Sequence, residues 1–225
     1  MKIRLLENEK GVTLIELLVA LVIAAITLAG VYKVFISQTK TYAVQDQVLE
    51  VQQSTRSAME VLLRDLRMIG FDDDNPSSAI TILNPIATPL QDHSIVVNYE
   101  YYDRTLAQYQ SHQVAYAIDG SSNLVRTLTV DSVARPAEIV LPNVTALTFT
   151  YGIDANSDGV MDDQNANGQI DDNDYVAAAS VGPFKVVAVR VVLTGRPDQT
   201  NTDVSKMVSP RTLTSGVTPR NICLR

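Results

Sequence analysis

The residues 154–174, DANSDGVMDDQNANGQIDDND, place side-chain oxygens at regular intervals. Asp154, Asn156 and Asp158 are followed by Gly159 and Asp162. Nine residues further on, Asp163, Asn165, Asn167, Gly168, Asp171 and Asp174 repeat the order. Oxygen donors at positions 1, 3 and 5, glycine at 6 and a later carboxylate form the pattern of a calcium loop, in which glycine permits the sharp turn. The chemistry implied is coordination of a hard cation, with calcium as the expected cofactor, one or two ions. Asp174 stands at position 12 of the second copy, where a longer glutamate is usual; position 12 of the first copy is Asn165, which the second copy needs. At least one ion is expected, and two full independent sites are not. No helices flank the tract, so the expectation is a stapled loop and not a sensor. The competing explanation is a solvated turn without metal, since Asp, Asn and Gly also build turns.

A second group in need of an explanation is Glu16. From Val12 to Ile36 the only charged residues are Glu16 and Lys33. As a helix this run rises about 37 Å, enough to cross a bilayer with some tilt. A carboxylate inside lipid costs a few kcal/mol (~3 on insertion scales), so such a group ordinarily has a partner and a purpose. The preceding head carries Lys2, Arg4 and Lys10, which puts that end in the cytoplasm and the long remainder outside. A cleaved secretory leader would place small residues after the apolar run, whereas here the helical pattern continues without a break.

The elements that position these groups follow from punctuation and periodicity. No proline occurs from Met1 to Asn75, and Gly30 is the only glycine between Gly11 and Gly70. One helix over 12–69 would be about 87 Å long, far more than a bilayer requires. Beyond the lipid, Val44, Val48, Val51, Thr55, Ala58, Leu62, Asp65/Leu66 and Ile69 recur at three-four spacing, the mark of a half-buried helix. Gly70 is the expected C-cap, with Pro76 beyond it. Runs at 94–103, 113–119, 124–131, 139–153 and 184–195 read as strands, and the tail from Pro210 supplies a final one. Turns are expected at Asp119-Gly120-Ser121 and Arg196-Pro197-Asp198. The fold class is α+β: a long N-terminal helix, membrane-spanning in one half and amphipathic in the other, packed on an antiparallel β-sheet domain.

The string Gly11-Val12-Thr13-Leu14-Ile15-Glu16 closely resembles the signal of type IV prepilins, with Val12 where phenylalanine is commonest. The resemblance implies that a prepilin peptidase cuts after Gly11 and methylates the new N-terminus at Val12. It also implies that Glu16 pairs with a positively charged N-terminal amine when subunits join a filament. Before cleavage the nitrogen of Val12 is an uncharged amide, so the leader must go first. A second block, Leu63-Arg64-Asp65-Leu66-Arg67 followed by Met68 to Phe71, resembles the minor pilins of the PilW type and the J-type pseudopilins of type II secretion. The same block read alone is an exposed helix face with a Glu60–Arg64 ion pair. The ending Arg220-Asn221 resembles the same proteins.

The expected organisation is a cleaved leader (1–11), a transmembrane or filament-core helix (12–36), its amphipathic outer half (37–70), and a β-rich domain (71–225) carrying the tract 154–174. The resemblance implies a minor pilin of the PilW type that primes assembly or forms the pilus tip. Its partners would be the peptidase, other minor pilins and the major pilin. Its location would be the inner membrane, with the C-terminal domain in the periplasm, and later the pilus. The nearest alternative is a J-type pseudopilin; a further one is a membrane-anchored calcium-binding protein unrelated to filaments. A net charge of −7 without a basic cluster argues against nucleic-acid binding. The single cysteine, Cys223, permits no internal disulfide. His93 and His112 lie in no metal or nucleophile spacing, no phosphate-cradling loop is present, and no enzyme is expected.

Overall fold

A computed structural model describes residues 11–72, 78–197 and 202–223. The leader before Gly11, the proline stop at Pro76, the turn residue Asp198 and the Cys223 side chain lie outside the described residues. The chain forms two compact units that divide between Asp46 and Gln47. Helix α1, Leu14–Arg67, contributes residues to both.

In the first unit α1 is apolar all round and exposed, with Leu14, Ile15, Leu17, Val22, Ile26 and Phe35 all open. Solvation is the normal fate of polar side chains, so an apolar and unpacked helix of this kind is built for lipid or for other helices. The segment is long and apolar enough to cross a membrane.

In the second unit the same helix carries a buried stripe: Val51, Thr55, Ala58, Leu62, Asp65, Leu66 and, just past its end, Ile69. These are the positions that three-four spacing selects. Gly70, at φ +69°, ends the helix, and its N–H donates to Asn98 O at 3.0 Å. The helix approaches the sheet closely at Gly195, where a Cβ would lie 2.6 Å from Thr55 Oγ1.

Among the described residues eight strands follow: β1 (Ser94–Asp103), β2 (Gln108–Ile118), β3 (Leu124–Val130), β4 (Val133–Ala134), β5 (Glu138–Leu141), β6 (Val144–Asp154), β7 (Lys185–Gly195) and β8 (Arg211–Val217). All pairings are antiparallel. They form two sheets: β1-β2-β3-β4 with β5 also on β3, and β6-β7-β8. The run 139–153 is not one strand. Pro142 and Asn143, the latter at φ +56°, break it and pass the chain from the first sheet to the second. Short helices α2 (Thr202–Ser205) and α3 (Arg220–Cys223) flank β8, so the tail is strand then helix. The core combines Leu62, Leu66 and Ile69 of the helix side with Val97, Tyr116, Phe149, Tyr151 and Val191 of the sheets.

Asp65 is one of several polar groups buried in the second unit. Asp65 Oδ2 accepts from Tyr116 Oη at 2.7 Å and from Arg126 Nε at 2.6 Å, tying α1 to β2 and β3. Burial raises the Tyr116 phenol well above its usual value, and its bond to Asp65 adds to the rise. Burial opposes the charge on Arg126, but the Asp65 carboxylate outweighs it and holds the guanidinium more firmly protonated. Among the described residues no Glu60–Arg64 ion pair forms; Arg64 Nε lies 3.9 Å from Asp65 Oδ1 instead. The reason is proximity, since the buried carboxylate is the nearer anion.

Candidate assembly site and acidic turn tract

At the start of α1, Thr13 and Glu16 form a reciprocal cap. Glu16 N donates to Thr13 Oγ1 at 3.3 Å, while Thr13 N donates to Glu16 Oε2 at 2.9 Å. Thr13 Oγ1 also donates to the same Oε2 at 2.8 Å. The sequence Thr-x-x-Glu is a capping-box signature, so this role was readable from spacing alone. It gives Glu16 a local reason to be where it is. Both contacts use Oε2, and among the described residues Oε1 accepts no hydrogen bond. The carboxylate therefore anchors one oxygen to its own helix, on an exposed side chain. Gly11 and Val12 lie just ahead of this cap in non-helical, exposed backbone.

The tract 154–174 lies in the second unit, between β6 and β7. Its two copies adopt one backbone design. In the first, Asp154 Oδ1 accepts from Asp158 N at 3.2 Å and Oδ2 from Gly159 N at 2.8 Å. In the second, Asp163 Oδ1 accepts from Asn167 N at 3.2 Å and Oδ2 from Gly168 N at 2.6 Å. Asn156 and Asn165 both accept from the residue two further on, as do Asp158 and Asn167. Positive φ recurs at Ser157 and Ala166 and at Gly159 and Gly168. The glycines thus occupy the turns that their place in the pattern predicts.

The copies differ in closure. Asp162 Oδ2 closes the first by accepting from Ala155 N at 2.6 Å. Asp171, the equivalent residue, instead caps the turn at Asp172–Asp174 and accepts from Asn167 Nδ2 at 3.2 Å. Asp174 closes the second copy from position 12: Oδ1 accepts from Gln164 N and Asn165 N, and Oδ2 from Asp171 N. It is fully buried. The far end is pinned by Arg190, which donates to Asp172 Oδ2 at 2.8 Å and to Asp172 O at 2.9 Å.

The donor set is all oxygen, which suits calcium by type. Its members are spread along two turns and bonded to backbone N–H groups. Among the described residues no three His, Cys, Asp or Glu side chains converge closely enough to hold a metal ion. Asp65, the buried network carboxylate, went unread as a polar anchor because its spacing placed it in the apolar stripe.

Residues 7–32 match the family description "prokaryotic N-terminal methylation motif". No curated protein and no solved structure matches the chain. The motif gives the chain a type IV pilin-like N-terminus, implies processing by a prepilin peptidase and assembly with other pilins, and with the apolar helix fits an inner-membrane anchor.

Proposed function

We propose that this chain is a minor pilin of the PilW type, which joins other minor pilins to prime assembly or form the tip of a type IV pilus. The observation that carries the reading is Glu16, whose carboxylate caps its own helix with one oxygen and, among the described residues, leaves the other unengaged within an exposed apolar surface. Cleavage after Gly11 creates an amine at Val12, and the amine of a neighbouring subunit is the partner that Oε1 awaits. A bulky two-sheet domain with a largely exposed acidic tract suits a low-copy position better than thousands of packed copies.

The test is mass spectrometry of sheared filaments for the peptide that begins at Val12, with and without a methyl group. Its presence there, sparse beside a major pilin, is the expected result. Its confinement to the membrane fraction would instead favour a J-type pseudopilin of a secretion pseudopilus. An N-terminus left uncut at Gly11 would sink both.

The acidic tract is read here as a calcium staple. Support comes from the tandem turn design and from the carboxylates at Asp154, Asp158, Asp162, Asp163, Asp171 and Asp174, whose mutual repulsion an ion would offset. Asn156, Asn165 and Asn167 would add neutral oxygens. Saturating calcium at about a hundred times its dissociation constant stabilises a folded protein by roughly 2.7 kcal/mol. The expected outcome is a lower melting temperature of the full chain in detergent on adding a chelator, restored by excess calcium. An unchanged melting temperature would overturn the staple.

A further inference from the structure

The sheets guard most of their edges. On β1, Asn98 O accepts from Gly70 N, Asn98 N donates to Pro85 O at 2.8 Å, and Ala87 N donates to Val96 O at 2.9 Å. On β6, Phe149 N donates to Asp92 O at 2.7 Å, and Tyr151 exchanges two bonds with Val176 at 2.8 and 2.9 Å. These edges cannot accept another strand without losing what covers them.

The remaining edge of the second sheet, β8, is different. It pairs with β7 in unbroken register from Gly195↔Arg211 to Val189↔Val217, and it ends the order β6-β7-β8. Among the described residues no backbone hydrogen bond reaches its other side. Thr212, Thr214 and Gly216 are exposed. Edge strands are ordinarily protected by charge, proline or a bulge. From Thr212 to Val217 there is no charge, no proline and no bulge; Pro210 and Pro219 stand just outside. Every second residue therefore aims an unmet N–H and C=O outward.

Both ends of this bare edge are basic, in a chain of net charge −7. Arg211 opens the strand. Beyond Val217, Arg67 and Arg220 line an open groove of about 480 Å³ together with Gly216, Thr218 and Asn221. Among the described residues none of the three arginines forms an ion pair. A second copy of the chain fits poorly. Antiparallel pairing of two β8 strands would set Arg211 of each against the Arg220 end of the other, and parallel pairing would set arginine against arginine at both ends. Juxtaposed like charges suppress such pairings.

We propose that β8 is a docking edge for an extended, uncharged strand flanked by carboxylates and supplied by a different pilin-type subunit. Main-chain bonds along Thr212–Val217 give the attachment, and the flanking arginines set partner and register. This inference rests on the filament reading above.

The experiment places photoreactive benzoylphenylalanine at Thr214 in the full chain, in cells that assemble the filament, and maps the adduct by mass spectrometry. The expected adduct is a single segment of another protein with an N-terminal methylation motif, with Asp or Glu beside the linked residue. The double variant Arg67→Glu, Arg220→Glu should cut its yield by roughly tenfold. A matching Glu→Lys or Asp→Lys change in the partner should restore it. Both arginines are exposed, so the variant's unchanged melting temperature checks that it folds. Adducts to a second copy, scattered adducts, no adduct, or a yield indifferent to charge reversal would overturn the proposal. A processed Val12 terminus accompanied by any of those results sinks the docking edge alone; an unprocessed terminus sinks the filament reading.

Discussion

Helix α1 holds a carboxylate near each end, and the two are used in opposite ways. Asp65 is buried, and Tyr116 and Arg126 both donate to its Oδ2 from the sheet beneath. Glu16 stands in an exposed apolar surface, and among the described residues its partner is Thr13, three residues away. A buried charge paired within the chain serves the domain that buries it. A charge on an exposed apolar helix has no such partner beneath it, and under the proposed function it is completed from outside. On that proposal one helix divides its labour, with a fold-holding group at one end and an assembly group at the other.

The comparison breaks if Asp65 proves dispensable. Asp65→Ala leaves the Tyr116 hydroxyl without its acceptor and the Arg126 guanidinium with the exposed Glu138 carboxylate at 3.7 Å, and is expected to destabilise the second unit by about 3 kcal/mol. Denaturant unfolding of the full chain in detergent reads this. The triple change Asp65→Leu, Tyr116→Phe, Arg126→Leu should recover much of the loss, because neither donor is then left without its acceptor. Equal instability of the triple variant would mean that the network, not the lost acceptor, carries the energy.

Glu16→Gln sharpens the other side. Glutamine serves a capping box as glutamate does, so the helix start survives while the charge is gone. Filament-borne peptide beginning at Val12 should fall at least roughly tenfold, with membrane levels unchanged, if pairing with an amine is what the carboxylate is for. Normal incorporation would reduce Glu16 to a helix cap.

The smallest effect lies at alkaline pH. Burial, reinforced by the Asp65 charge, pushes the Tyr99 phenol up to about 12, and burial lifts Tyr116 further still. Because both folded values exceed the ordinary 10.0, the associated stability is complete below pH 10.0 and is lost as pH climbs through 10.0 towards 12. A melting curve that falls across this window is expected, less steeply in Asp65→Asn. A flat profile would show that these phenols are not held neutral by the fold.

Much of this arrangement is written locally in the chain. Absence of proline and three-four spacing delimit 12–69 as helix against the observed Leu14–Arg67, and the alternating run 94–103 is β1 without adjustment. The first half of β2, Gln108–His112, is polar and lacks the alternation that marks a buried strand, so only its neighbours define it. The division into two sheets turns on Pro142 and Asn143, a break too short to separate runs that are apolar on both sides. Asp65 was hidden by its place among Leu62, Leu63 and Leu66; its partners lie 51 and 61 residues away, a distance no local pattern spans. The acidic tract is the opposite case, since side chain and backbone partners lie within a few residues of one another, and its turns follow from spacing alone.

That tract has one further consequence. The second copy begins where the first stops, Asp163 abutting Asp162, and the positive φ of Ser157 and Gly159 returns nine residues on at Ala166 and Gly168. The loop is therefore graduated like a ruler. A turn of that length inserted in frame at this seam would add to the loop while leaving the strand that enters it and the buried Asp174 that seals it in place. Because each turn bonds to its own backbone, such a change alters the loop without calling on the sheet that carries it.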